Sequence, residues 1–170
     1  QESALLLSNE NEVTMFAESA IPDKHHHFYE IPIPEDLYSD GKREREITVA
    51  LAFCPPVRTT RLDYKATRMS FKLVEAANLE EVTNWFDART SIDRYDHIKE
   101  INGNRSLSET DRSKGSVQAS TWSMKIISEK RKKKSLFVIV TRNDPTWGSL
   151  ISQEKESYSL VILLRDLHGK

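Results

Sequence analysis

Apolar residues recur at every second position through most of this chain. In "EVTMFAE" (12–18), Val13, Met15 and Ala17 share one side. In "ITVALAF" (47–53), Ile47, Val49, Leu51 and Phe53 share a side, with small residues between them. In "RMSFKLV" (68–74), Met69, Phe71 and Leu73 alternate with Arg68, Ser70 and Lys72. A period of two is the signature of a strand that buries one face and wets the other. "QASTWSMKI" (118–126) and "SYSLVILLRDL" (157–167) follow the same rule, the second with Tyr158, Leu160, Ile162 and Leu164 in phase. "SLFVIVT" (135–141) is an unbroken apolar and β-branched run, which suits a strand covered on both sides. Strand-breaking segments separate these runs: "PEDLYSDGK", "CPPVR" and "NDPTWG". The pattern predicts six to eight short antiparallel strands, hence a mainly β domain, a β-sandwich or jelly roll.

One segment changes period. "NLEEVTNWFDART" spaces Leu79, Val82, Trp85 and Phe86 for one helix face, with Asn78 as N-cap and acids in the first turn. A short helix is expected near 79–88. The next stretch, 98–116, has no apolar period and is rich in Ser, Asn, Gly and charge, so a mobile loop is expected there.

Composition narrows the partners. The 170 residues fit a single domain, 1–170. A net charge of −1 supplies no global field for nucleic acid or an anionic membrane. "LFVIV" and "LVILL" are far too short to cross a bilayer. "QESALLLSNENE" lacks the basic start and apolar stretch of a signal peptide. One cysteine, Cys54, excludes an internal disulfide framework and a Cys-based zinc finger, and fits a reducing compartment. The expected localisation is cytoplasmic. A first residue of Gln1 instead of Met fits a piece cut from a longer chain.

Several segments could carry chemistry. In "KHHHFYEIPIP" (24–34), an extended backbone turns His25 and His27 to one side and His26 to the other. Two imidazoles two residues apart can begin a metal site, but a stable one needs further ligands such as His97 or His168. The competing reading is a polar entry to a strand in which Pro32 and Pro34 forbid ladder donation, so the strand should lie at a sheet edge or end there. "EKRKKK" (129–134) could grip phosphate; between two strand candidates it reads better as a solvated hairpin turn. Around "CPPVRTTRLDY", Pro55 and Pro56 fix the backbone, and Arg58 or Arg61 can pair with Asp63 beside Tyr64. This cluster is the candidate contact with a neighbouring domain. Trp85, Trp122 and Trp147 could stack on a sugar, against the simpler role of core packing. No G-x-S-x-G, G-x-G-x-x-G, Walker A or H-E-x-x-H segment occurs, and no cofactor is expected.

Taken together, "YEIPIP" (29–34), "ITVALAFCPPVRTTRLDY" (47–64) and "RMSFKLV" (68–74) resemble the β-rich domain that follows the catalytic domain in bacterial subtilisin-like serine peptidases of the S8 family. "VQASTWSMKI" (117–126), "LFVIVTRNDPTW" (136–147) and "YSLVILL" (158–164) fit the same domain, so the resemblance runs from about residue 12 to residue 166. Cys54 stands where that family more often has an acidic or polar residue, and "KATR" where it has a Gly-containing segment. The resemblance implies a parent enzyme whose catalytic domain supplies an Asp, His and Ser triad. The contexts of that triad (Asp-Ser/Thr-Gly, His-Gly-Thr, Gly-Thr-Ser-x-Ala) are absent from this chain, so no catalytic residue is assigned. The implied role is an accessory domain. It would stabilise the catalytic domain of its own parent chain and contribute to binding of protein substrates or partners. The alternative is a carbohydrate- or other ligand-binding sandwich module.

Overall fold

The computed structural model describes residues 4–8, 12–31, 42–53, 68–88, 99–108, 118–129, 135–144 and 155–167. They form two antiparallel sheets and one helix, a β-sandwich as expected. The elements are β1 (Leu5–Ser8), β2 (Glu12–Ile21), β3 (His25–Ile31), β4 (Lys42–Phe53), β5 (Arg68–Ala76), α1 (Leu79–Ala88), β6 (Lys99–Ser108), β7 (Gln118–Glu129), β8 (Ser135–Arg142) and β9 (Glu156–Asp166). Sheet A runs β1-β2-β9-β4-β7 and sheet B runs β3-β8-β5-β6. The sheets lie face to face, with β2 approaching β3 at one side and β6 approaching β7 at the other.

The period-two pattern decides which residues fill the space between the sheets. Val13, Met15 and Ala17 from β2, Ile47, Val49, Leu51 and Phe53 from β4, and Tyr158, Leu160, Ile162 and Leu164 from β9 meet Tyr29, Ile31, Met69, Phe71, Leu73, Leu136, Val138 and Val140 from sheet B. All are buried. The intervening apolar residues of β8, Phe137 and Ile139, point the other way. With Phe28, Val74 and Ala76 they pack under Val82 and Phe86 of α1, which makes a second core. β8 is therefore covered on both sides, as its sequence predicts, and the cover is the helix.

The helix begins where expected. Asn78 Oδ1 accepts from the Glu81 amide at 2.9 Å, and Glu80 and Glu81 stand in the first turn beside the positive end of the dipole. β3 lies at the edge of sheet B, the position its two following prolines call for.

Two expectations are corrected. The stretch 98–116 was expected to be a loop, yet β6 occupies Lys99–Ser108 and pairs with β5 from Arg68↔Ser108 to Glu75↔Lys99. This edge strand needs backbone hydrogen bonds from one neighbour only, and irregular pairing near Leu73 accommodates it without an apolar period. Residues 109–116 lie outside the described residues. The hairpin expected at 129–134 does not join neighbouring strands either. β7 pairs with β4 in sheet A, whereas β8 pairs with β3 and β5 in sheet B. Among the described ladders, consecutive strands pair only at β1–β2 and β5–β6.

Candidate functional site

The chain crosses from sheet A to sheet B between Ile21 and His25, and a polar cluster holds that corner. Arg142 ends β8 in phase with the inward-facing Leu136, Val138 and Val140, so its guanidinium is driven into the interior, where it is 1% exposed. It survives there because every direction has a partner. Nε and Nη2 donate to the Asp144 carboxylate, the latter at 2.7 Å, and Nη1 donates to the Ile21 carbonyl at 2.9 Å. Asp144 Oδ1 also accepts from the Arg68 amide, and the Asp144 amide donates to Asp23 Oδ1, each at 2.9 Å. Lys24 sits in the left-handed region at φ 64°. Its amide donates to the Arg142 carbonyl at 2.9 Å, and its Nζ donates to Asn143 Oδ1 and, at 3.0 Å, to the Asp144 carbonyl. A buried guanidinium with a bidentate carboxylate is stable only when its remaining donors are satisfied. The cluster therefore clamps β2, β3, β5 and β8 at one corner.

The histidine triplet begins β3 directly after this corner and alternates as an extended backbone requires. His26 faces the helix, with its ring 5.0 Å from Phe28 and 4.5 Å from Phe86, and Nε2 3.9 Å from Asp87 Oδ1. His27 faces the other way, and its Nδ1 lies 2.7 Å from the Tyr158 hydroxyl, which also bonds the Tyr29 hydroxyl. His25 Nδ1 bonds the Asp23 carbonyl at 2.9 Å. The two imidazoles considered as metal ligands, His25 and His27, thus have separate hydrogen-bonding duties. Among the described residues no three His, Cys, Asp or Glu side chains gather as a metal site would need. His97 and His168 lie outside the described residues.

The contact cluster Pro55, Pro56, Arg58, Arg61, Asp63 and Tyr64 also lies outside the described residues, as do Cys54 and Trp147. Trp122 is half-buried against the main core, and Trp85 is half-buried against the helix core, with Lys72 Nζ 5.7 Å from the centre of its ring. Both indoles pack one side against a core. No helix among the described residues is long and apolar enough to cross a membrane.

The outer face of sheet A has no helix packed on it among the described residues. Cross-strand register arranges its outward side chains in rows. One row reads Leu5, Phe16, Val161, Ala50, Thr121 and the next reads Leu7, Thr14, Leu163, Thr48, Ser123. Neither row carries a charge. Beyond the second row stand Glu12, Arg165, Glu46 and Lys125, alternating in sign, with Arg165 Nη2 donating to Glu46 Oε1 at 2.8 Å. At the opposite end a groove of about 460 Å³ is lined by Glu18, Ala52, Ser157 and Ser159 together with Ser19, Phe53 and Tyr158. Among the described residues its lining holds a single carboxylate and no histidine or cation. Sequence reading missed both the corner cluster and this face. The signal for the first was the parity of Arg142 with the buried residues of its own strand.

No protein-family model matches the chain. It is 38% identical over 86 residues to the uncharacterized protein y4bN of Sinorhizobium fredii (strain NBRC 101917 / NGR234). That match takes in 51% of this chain and 20% of the relative, so the chain aligns with about a fifth of a longer protein. Among solved structures, a chain of the infectious bursal disease virus Gx strain overlays 92% of this chain and 34% of its own length, at 8% identity and a TM-score of 0.36. The VP2 subviral particle of the same virus overlays 90% of this chain and 41% of its own length, at 10% identity and a TM-score of 0.13. Likenesses this weak carry no functional argument.

Proposed function

We propose that this chain is a non-catalytic, jelly-roll-like accessory domain of a larger protein, of the kind that follows the catalytic domain in bacterial subtilisin-like serine peptidases. In this role it packs on the catalytic domain, stabilises it and helps to present protein substrates or partners. Peptide-bond chemistry belongs to the catalytic domain. The observation that carries the reading is how the polar groups of the corner cluster and the buried tyrosine pair are spent. Arg142, Asp144, Asp23, Tyr29 and Tyr158 bond to one another, to His27 or to backbone, and their work is to hold strands together. Two further points support it. The segments that resemble the peptidase domain include the strands that build the core. The curated relative is also several times longer than the matched stretch, as expected of a protein with further domains.

Association with the catalytic domain of the same parent protein tests this proposal. Arg58→Ala or Arg61→Ala should weaken that association about tenfold, as a buried interface arginine does, while circular dichroism shows the sandwich still folded. Unchanged affinity in both variants rejects the Pro55–Tyr64 contact. If the unsubstituted domain fails to associate at all, the accessory role is rejected.

A further inference from the structure

The outer face of sheet B lies under α1, but sheet A has no such cover among the described residues. We infer that the four-strand face β2-β9-β4-β7 binds the same face of a second copy of this chain, about a two-fold axis parallel to the strands that passes between β9 and β4.

The argument is one of self-complementarity. A two-fold along the strands keeps each row of outward side chains in place and reverses its order, so β2 meets the second copy's β7 and β9 meets its β4. The charged row reads minus, plus, minus, plus from β2 to β7, as Glu12, Arg165, Glu46, Lys125. Reversed upon itself it sets Glu12 against Lys125 and Arg165 against Glu46, twice over. The uncharged rows match by size under the same operation. Phe16, 39% exposed, meets Thr121, Val161 meets Ala50, and Leu163 meets Thr48. An axis centred on β9 would instead oppose Glu12 and Glu46, so the charge pattern places the axis between strands, and of such axes the one between β9 and β4 overlaps all four strands. An isologous pairing of this kind closes on itself and stops at two copies.

The area is sufficient. Four strands about 4.8 Å apart, over about eight residues at roughly 3.4 Å each, make a footprint of about 500 Å² per copy. The total is about 1,000 Å² before the relief of the side chains is counted, which is where specific interfaces begin. Leu5 and Leu7 on β1 fall outside this footprint and are not needed for it.

Sedimentation equilibrium on the 170-residue chain is the test. Twice the monomer mass is expected, with dissociation on dilution and on raising salt. Lys125→Glu places like charges opposite each other at two symmetric points and should weaken the dimer at least about tenfold. Adding Glu12→Lys to Lys125→Glu restores the opposition and should return the affinity to within a few-fold of the original. All these positions face solvent at the sheet surface, and circular dichroism confirms the fold of each variant. A monomer at every concentration overturns the inference. So does a dimer indifferent to Lys125→Glu, or one that the compensating change fails to rescue.

Discussion

Arg142 shows how one side chain can decide the fate of a corner. It ends β8 on the inward phase, so burial is imposed by the strand, and only a full set of acceptors makes that burial tolerable. Arg142→Met should therefore leave Asp144 buried without its counter-charge and cost about 3–5 kcal/mol, read as a lower urea midpoint at unchanged slope. A loss below about 1 kcal/mol would mean that the cluster contributes little to stability. Tyr158→Phe is a gentler probe. It strips the hydroxyl that joins His27 to Tyr29, and should cost about 1–3 kcal/mol by the same measurement because the remaining partners are buried. Neither requirement could be read from residue type, since Arg and Tyr are as much at home on a surface.

The helix and the edge strands behave differently from the core strands. α1 is held by a single side, with Val82 and Phe86 lodged against Phe28, Phe137 and Ile139. Its existence, limits and N-cap were legible because a change of period and an Asn followed by two acids are local signals. Its place on sheet B was not. Phe86→Ala should cost about 3–5 kcal/mol and expose the amides of α1 to hydrogen exchange ahead of those in β8. Asn78→Ala should cost about 1 kcal/mol through the lost cap alone. β6 escaped prediction for the converse reason: an outer strand bonded along one side needs no apolar alternation, so "KEINGNRSLS" looks like a loop until β5 supplies a partner. The cationic "EKRKKK" misled in another way. Two strands close in sequence invite a hairpin, but these two enter opposite sheets.

Across the molecule, β9 is the strand on which the rest depends. It comes last in sequence and lies third in sheet A, paired with β2 on one side and β4 on the other. Sheet A thus cannot close until β9 has arrived, and a topology so rich in distant pairings folds slowly. A chain ending before Glu156 should show no cooperative thermal transition by circular dichroism, since β2 and β4 would face each other across a missing strand. A cooperative transition in that truncation would show that the remaining strands form a stable unit without β9. Sheet A is also where the second copy is inferred to bind, so loss of β9 should remove self-association together with the fold.

Alternation, turn residues and the helical interlude were enough to specify a two-sheet β domain with one helix, because burial of every second side chain is a local demand that the backbone obeys wherever it is extended. The phase of Arg142 with the buried residues of its strand was present in the sequence but was not read as burial. Partnership was decided in three dimensions. Which strand neighbours which, which sheet the helix covers and which charges line up in a row on the open face all depend on register between residues distant in sequence. Such register is set by the energy of the closed sandwich as a whole, and no short stretch of chain contains it.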